Sequence, residues 1–253
     1  MPVALEDLVA YCDDYLEVGA VEDFTPNGLQ VEGSPEVGRI VSGVSACQAL
    51  LDKAAGQEAD LVLVHHGYFW KGEDPRVVGI KARRLGVLLG SGMSLLAYHL
   101  PLDRHPVVGN NAELARTLGL RETVPFGELG GVPIGLAGVL DEGLEPDAFL
   151  GRVADSLETR TLHVAGPQRT IRSVAVCSGG APDLAGEAAA AGYDLYLTGE
   201  SNERVTHVAR EAGIHFVAAG HHATERLGVQ ALGAHLAGRF GVEHRFIDIP
   251  NPA

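Results

Sequence analysis

The stretch LVLVHHGYFWKG at residues 61–72 joins the pattern of a buried strand to two adjacent histidines. Four apolar residues in a row predict a strand covered on both faces, which is typical of a parallel sheet between helices. His65 and His66 come directly after this run, where an apolar core has no use for imidazoles. Since ligands of open α/β sheets collect beyond the carboxyl ends of the strands, the pair indicates a binding site there.

The alternation of strands and helices around this stretch occurs twice along the chain, which we interpret as a diverged internal duplication. The predicted strands of the first half are 39–44, 60–64 and 94–99, and those of the second half are 173–180, 194–200 and 215–222. ADLVLVHHG in the first half resembles YDLYLTGE in the second. We therefore predict an α/β fold of two similar lobes, with a site between them at the carboxyl ends of their strands.

The boundary between the lobes is expected near FGELGGVPIGLAG at residues 126–138, because this stretch is rich in glycine and proline. The predicted lobes are residues 1–125 and 126–253, with the C-terminal segment able to pack back on the first lobe. Residues 141–157 are predicted to form a helix, and residues 244–250 a last strand.

The composition of the chain disfavours several classes of function. A formal net charge of −14 disfavours binding to nucleic acid phosphates, and 46% hydrophobic residues with 21% charged residues are typical of a globular chain. The three cysteines contain no C-x-x-C pair, so neither a disulfide framework nor a thiolate zinc site is expected. The acidic N-terminal segment does not resemble a signal peptide, and no apolar run has the length of a membrane span. We expect a cytoplasmic protein.

Histidines and carboxylates recur together at the ends of the predicted strands. A lone histidine at such a position is usually structural, but a histidine pair with carboxylates in both halves favours metal binding. The candidate ligands are His65, His66, His99, Asp103, His221 and Glu225. Four imidazoles and two carboxylates are enough for two divalent ions, with a carboxylate bridging them.

Local rules add expectations about how these ligands are presented. Side chains alternate along a strand, so His65 and His66 are predicted to point to opposite faces and to serve different ions. Pro101 is predicted to keep residues 99–103 from forming a helix, so that Asp103 returns by a turn. Thr224 is the predicted N-cap of a helix with Glu225 in its first turn.

Competing motifs are weak or absent. The sequence has no Walker loop, no G-x-S-x-G elbow, no H-E-x-x-H and no complete dinucleotide loop, so no organic cofactor is predicted. Tyr68, Phe69 and Trp70 are interpreted as packing residues, with base stacking as the alternative. Five further histidines are interpreted as structural or surface residues because no acidic partner at useful spacing is predicted for them: His163, His207, His215, His235 and His244.

HHGYFWKG, AYHLPLDRHPVVGNNAELARTLG, LYLTGE, AGHHATERLGVQAL and IDIPNPA together resemble the NIF-three-like dinuclear metal centre family, in particular its bacterial YbgI type. Members are also called GTP cyclohydrolase 1 type 2 homologues. The resemblance covers nearly the whole chain, and it implies two α/β lobes, two metal ions on the six ligands given above, and a homohexameric toroid built as a trimer of dimers. His222 is a less certain ligand, and NGLQVEG at residues 27–33 has no role assigned.

Two hypotheses of different classes follow. In the first, metal-bound hydroxide attacks a small-molecule substrate, either a nucleotide such as GTP or a phosphoester, with Glu225, Tyr68 or His222 as candidate proton carriers. In the second, the ions stabilise a non-catalytic scaffold or regulatory toroid. A ring that processes nucleic acid is a third alternative. The ligand types admit Zn, Mn, Fe or Ni.

Overall fold

The computed structural model describes residues 2–129 and 131–253, which form two compact units. The first unit contains the residues up to Gly109 together with Gly228–Pro250, and the second contains Asn110–Leu227 with Asn251–Ala253. Both units are α/β, as the sequence predicts.

The helices and strands follow the alternation seen in the sequence. The strands are β1 (Val3–Ala4), β2 (Gly28–Val31), β3 (Glu36–Val37), β4 (Arg39–Ser45), β5 (Leu61–His66), β6 (Ser94–Ala97), β7 (Arg121–Leu129), β8 (Val132–Leu144), β9 (Leu162–Val164), β10 (Ile171–Cys177), β11 (Leu195–Thr198), β12 (His215–Ala218) and β13 (Glu243–Phe246). The α-helices are α1 (Leu5–Tyr15), α2 (Gln48–Gly56), α3 (Gly79–Gly90), α4 (Leu100–Arg104), α5 (Asn110–Leu118), α6 (Pro146–Leu157), α7 (Ala185–Ala190), α8 (Glu203–Ala212) and α9 (His221–Phe240). None of the helices in the described part of the chain is long and apolar enough to cross a membrane.

The first unit is built on a five-stranded sheet in the order β13-β4-β5-β6-β2. Its first four strands are parallel, and β2 is antiparallel to β6. Leu61 and Leu63 pack into the core that contains α1 and part of α9, whereas Val62 and Val64 pack into the core that contains α2 and α3. The apolar run before the histidines is therefore buried on both faces, and the prediction for this strand is confirmed.

The second unit is built on a six-stranded sheet in the order β7-β8-β10-β11-β12-β9. Strands β10, β11 and β12 are parallel, and the flanking strands pair in antiparallel fashion. Leu114 and Leu118 of α5 and Phe149 of α6 are buried against these strands. The parallel core with strand ends on one edge reproduces the arrangement in the first unit.

In each unit, an aspartate directly before a central strand accepts hydrogen bonds from the backbone of the neighbouring strand. Asp60 Oδ2 accepts hydrogen bonds from the N–H groups of Gly38 and Arg39, at 2.8 Å each. Asp194 Oδ2 accepts from the N–H groups of Arg172 and Ser173, at 3.0 and 2.8 Å. Each aspartate thereby fixes the start of the preceding strand, and this shared device is consistent with an internal duplication.

Replacing Asp194 with alanine is expected to lower the free energy of unfolding by about 2 kcal/mol. The substitution removes the acceptor of two backbone N–H groups and of the Ser173 hydroxyl, and bonds to a charged group contribute about 1.5–3 kcal/mol. Urea denaturation measures the change. Asp194→Asn keeps one amide oxygen and is expected to lose less, so equal losses for the two variants would contradict this explanation.

The domain boundaries differ from the predicted ones. Helix α5 and strand β7 precede residue 126 but belong to the second unit, because α5 packs in the second core and β7 pairs with β8. Residues 228–250 belong to the first unit through β13, as the predicted packing of the C-terminal segment allows.

Most described residues of the glycine-rich stretch 126–138 belong to the antiparallel strands β7 and β8, so this stretch is not a linker. Gly130 lies outside the described residues, while Gly131 has a φ of 82° and Gly135 approaches the carbonyl of Val176 too closely for a side chain. The glycines thus allow a turn and a tight strand contact. Residues 141–144 continue β8, so the predicted helix begins later, at Pro146.

Candidate metal centre

His65 lies at the end of β5 and is fully buried. Its Nδ1 lies 2.9 Å from the carbonyl oxygen of Tyr98. Because a carbonyl oxygen only accepts, Nδ1 carries a proton, and the lone pair of the neutral ring is on Nε2. Nε2 lies 3.6 Å from Asp103 Oδ2. The backbone of the neighbouring strand therefore selects the His65 nitrogen that can bind a metal.

His66 is the last residue of β5, and its ring stays beside that of His65. The two ring centroids are 4.6 Å apart, and His66 Nδ1 lies 3.1 Å from the Ser45 hydroxyl. The prediction that the two imidazoles diverge to opposite faces is wrong. Alternation is a rule for the interior of a regular strand, and His66 is the last residue of β5.

His99 is held by the loop that precedes β2. Its Nδ1 lies 3.0 and 3.2 Å from the two carboxylate oxygens of Asp23, and its backbone N–H donates to Asn27 Oδ1 at 2.7 Å. The backbone N–H of Leu100 donates to Asp23 Oδ2 at 3.0 Å. Asp23 and Asn27 thus satisfy the free N–H groups at the start of α4 and fix the His99 ring at the same time.

Asp23 is ionised at neutral pH. Burial alone would raise the pKa of its carboxyl group, but hydrogen bonds from His99, Asn27 and Leu100 lower the pKa to about 2. A carboxylate can only accept hydrogen bonds. His99 Nδ1 must therefore be the donor, which leaves the lone pair of the neutral ring on Nε2.

Asp103 reaches the cluster from a helix and not from a turn. Pro101 lies in the first turn of α4, where its missing N–H is not needed, so the prediction that it prevents a helix is wrong. The carboxylate of Asp103 is buried, with 5% of the residue exposed. A buried carboxylate beside an imidazole is a suitable additional oxygen ligand for a divalent ion.

The NGLQVEG segment supports this cluster from one side. Asn27 holds His99, and Gln30 Oε1 accepts a hydrogen bond from the backbone N–H of Tyr68 at 2.7 Å. A Cβ at residue 67 would lie 2.2 Å from Gln30 Oε1, so the Gln30 amide leaves no space for a side chain at Gly67. The segment therefore fixes both the loop after the histidine pair and the start of α4, which gives it a structural role.

The donor atoms of the first unit fit a metal ion. His65, His66 and His99 each offer a ligand nitrogen, and these atoms lie within 4.8 Å of one another. Trp70 and Phe24 pack edge-on against the His99 ring, with centroid distances of 5.2 and 5.0 Å. Three imidazole nitrogens that converge beside a buried carboxylate and an aromatic wall suit zinc or a first-row transition metal.

The second unit brings His221 and Glu225 together on one face of α9. His221 Nε2 lies 3.1 Å from Glu225 Oε1, and His221 Nδ1 lies 2.6 Å from Glu200 Oε1. Burial would lower the pKa of His221, but Glu225 and then Glu200 outweigh it and raise the pKa to about 9. Helix α9 begins at His221, so the prediction that Thr224 is its N-cap is wrong.

Thr224 instead ties the start of α9 to the loop after β10. Its hydroxyl accepts from the Gly179 N–H at 3.0 Å and donates to the Gly220 carbonyl at 2.9 Å. Gly179 has a φ of 67°, and a Cβ there would lie 2.2 Å from Glu225 Oε1. The loop therefore packs directly on the Glu225 carboxylate, which is buried with 3% of the residue exposed.

The two histidine and carboxylate pairs are not in register between the units. The N–H of Tyr98 bonds to the carbonyl of Val64, as the N–H of Ala219 does to that of Thr198. Counting from these residues, His99 corresponds to Gly220 and not to His221. The equal spacing of His99 to Asp103 and of His221 to Glu225 is therefore no direct repeat of the duplication.

The three candidate proton carriers lie in different surroundings. The Tyr68 hydroxyl donates to the carbonyl of Ala46 at 2.6 Å, and burial raises the pKa of Tyr68. Tyr68 belongs to the core, as its interpretation as a packing residue predicts, so it does not suit proton transfer. His222 is buried in the first turn of α9, and Glu225 contacts His221.

Sequence reasoning missed Asp23 and Glu200. Asp23 lies in an irregular segment without periodicity, and its partner His99 is 76 residues away. Glu200 offers a better signal, because it ends the strand segment DLYLTGE at the position where His66 ends the corresponding segment of the first half. A carboxylate at a strand end was a reason to include it among the candidates.

Comparison with known proteins gives one consistent answer. Residues 3–252 match the family model described as Duf34/NIF3 (NGG1p interacting factor 3). The chain is 56% identical to the GTP cyclohydrolase 1 type 2 homolog of Pseudomonas aeruginosa, with all of both chains covered, and 48% identical to that of Allochromatium vinosum, with 98% and 97% covered.

Solved structures agree with these relatives. A protein described as ybgI, of unknown function, superposes with a TM-score of 0.94 at 43% identity, covering 99% of this chain and 100% of the other. A Thermus thermophilus protein superposes with a TM-score of 0.91 at 36% identity, with the same coverage. The chain belongs to the Duf34/NIF3 family.

Proposed function

We propose that this protein binds two divalent metal ions and uses them to hydrolyse a small-molecule substrate. The observation that carries the proposal is the convergence of ligand nitrogens from His65, His66 and His99 within 4.8 Å. Its relatives named GTP cyclohydrolase 1 type 2 homolog support a hydrolytic reaction on a nucleotide. A phosphoester is the alternative substrate, since no loop suited to a triphosphate is evident from the sequence.

The residues of each unit have separate tasks in this proposal. His65, His66, His99 and Asp103 form the ligand set of the first unit, and His221 and Glu225 form that of the second. When bound, divalent ions supply Lewis-acid chemistry that acidifies water and polarises the substrate. Glu225 and His222 are the candidates for moving protons, because Tyr68 is committed to the Ala46 carbonyl.

The ligand types restrict the metal without selecting one. Imidazole nitrogen with carboxylate oxygen is compatible with Zn, Mn, Fe and Ni, and in cells the supply of each metal also decides occupancy. The buried carboxylate of Asp103 suits a divalent cation, because carboxylate oxygen is a common ligand of such ions. Elemental analysis of protein purified without added metal identifies the ion.

The test combines metal content with a hydrolase screen over nucleotides and phosphoesters. We expect about two ions per chain in the parent protein, fewer in His65→Ala, and fewer in Glu225→Ala. His207→Ala is the matched control, because His207 is an exposed histidine of α8 that pairs with Glu203 and lies outside the ligand set. A parent protein that binds no divalent ion even after dialysis against excess metal would overturn the proposal.

Turnover separates catalysis from a scaffold role. If the ions are catalytic, His66→Ala abolishes hydrolysis while the oligomeric state is unchanged. If they hold a scaffold, the assembly dissociates and no substrate of the screen is turned over by the parent. The homohexamer implied by the family resemblance is part of this proposal, and light scattering measures it in the same samples.

A further inference from the structure

One carboxylate in each unit contacts the Nδ1 of a candidate ligand histidine. In the first unit, Asp23 lies 3.0 Å from Nδ1 of His99. In the second unit, Glu200 lies 2.6 Å from Nδ1 of His221. Neither carboxylate belongs to the proposed ligand set. The two contacts come from different segments of the chain, one from an irregular loop and one from a strand end.

We infer that Asp23 and Glu200 are positioning residues: Asp23 holds His99 in the Nδ1–H tautomer, and Glu200 accepts from the Nδ1–H of His221, so that Nε2 is the metal-binding nitrogen of each ring. The inference rests on the proposed metal site. A carboxylate on the outer nitrogen fixes the orientation of the ring and increases the basicity of the inner nitrogen. Removing such a partner typically weakens metal binding by about 10- to 100-fold.

The hydrogen bonds around Asp23 fix its carboxylate in position beside His99. Its side chain is only 3% exposed, and it accepts from the N–H groups of Phe24 and Leu100 and from the Asn27 amide as well as from His99. These bonds hold the carboxylate in one place, so it cannot rotate away from the imidazole. The Glu200 side chain is about half exposed, so its position beside His221 is less constrained than that of Asp23 beside His99.

Asp23→Asn is the informative variant. An asparagine keeps the shape and one oxygen for the Leu100 N–H, but its amide can donate to His99 Nδ1 and so stabilise the wrong tautomer. We expect Co²⁺ affinity, measured by competition with a chelator, to fall by about 10- to 100-fold. Glu200→Gln is expected to change affinity in the same direction by a smaller factor, because Glu200 is more exposed.

Asp60→Asn is the matched control. It makes the same change of charge in the first unit, on a carboxylate that also accepts two backbone N–H groups but, within the described part of the chain, contacts no histidine. It is expected to lower the melting temperature without changing Co²⁺ affinity. Asp23→Glu retains the carboxylate and is expected to recover part of the affinity lost in Asp23→Asn.

Nitrogen NMR of the metal-free protein gives a readout that a structural role would not move. The His99 signals, assigned with His99→Gln, are expected to show a neutral ring protonated on Nδ1 in the parent and a shift toward Nε2 protonation in Asp23→Asn. A parent His99 protonated only on Nε2 would overturn the inference, as would an Asp23→Asn variant with unchanged signals and affinity. A parent with the expected tautomer that binds no Co²⁺ would instead overturn the proposed function.

Discussion

Gly199→Ala is expected to lower the free energy of unfolding by about 3 kcal/mol, the largest effect among the substitutions proposed for this protein. A Cβ at residue 199 would lie 2.6 Å from the Cα of His221, 2.7 Å from the Gly179 carbonyl and 2.8 Å from the Thr224 hydroxyl. Two of these atoms are backbone and cannot move aside by rotation of a side chain. The start of α9 must shift, and His221 with it.

The same substitution is therefore expected to disturb the ligand set of the second unit. His221 is fixed through Glu200, the residue that follows Gly199. A shift of the helix start relative to β11 lengthens this contact. Urea denaturation measures the stability, and the nitrogen NMR signals of His221 report the contact.

Gly151→Ala is the matched control for the second unit. Gly151 lies within α6, has no positive φ, and has open space for 4 Å around the position that an alanine Cβ would take. Alanine there is expected to stabilise the protein by about 0.5–1 kcal/mol, because glycine is the poorer helix former. If Gly199→Ala proved as stable as Gly151→Ala, the close approach between β11 and α9 would be refuted.

The sequence predicts the strands of the two sheets better than it predicts the elements between them. Continuous apolar runs such as residues 61–64 and 174–177 are strand signals because both faces of a parallel sheet are covered. The hairpin of β7 and β8 was missed because glycine and proline normally indicate a loop. In this hairpin, Gly135 serves a close contact with β10, and such contacts depend on tertiary packing that local composition does not reveal.

The residues of the candidate site also divide into those that the sequence predicts and those that depend on tertiary packing. His65, His66, His99 and Asp103 could be grouped from the sequence because the ends of parallel strands meet at one edge of a sheet. The direction of His66 could not be predicted, since it depends on where β5 ends. Asp23 and Asn27 could not be predicted either, because they act on His99 from a loop whose position is fixed only by the folded unit.

Gly67→Ala is expected to lower the free energy of unfolding by about 2 kcal/mol, as much as Asp194→Ala, and to weaken metal binding as well. A Cβ at residue 67 would lie 2.2 Å from Gln30 Oε1 and 2.7 Å from the Cβ of Ala97. Gln30 can move, but it then loses its hydrogen bonds to the Tyr68 N–H and the Pro26 carbonyl. Ala97 lies within β6 and cannot move without disturbing that strand.

The loss of stability should come with a loss of metal binding. Gly67 follows His66 directly, and Ala97 lies two residues before His99. If the chain at Gly67 moves away from β6, the distance between the His66 and His99 imidazoles therefore increases. Coordination requires ligand atoms to be placed within a few tenths of an ångström. Co²⁺ affinity is therefore expected to fall by at least about tenfold, which is the lower end of the loss caused by removing a group that supports a metal ligand.

Gly86→Ala provides the comparison for the first unit, because Gly86 is an exposed residue of α3 with open space around it. It is expected to keep the parent's Co²⁺ affinity and to gain a little stability from helix propensity. A Gly67→Ala protein that loses stability but binds Co²⁺ as the parent does would show that the histidine cluster tolerates movement of its supporting loop. The tight placement of His66 against His99 would then be unnecessary for metal binding, and ligation would rest on side chains that rearrange around the ion.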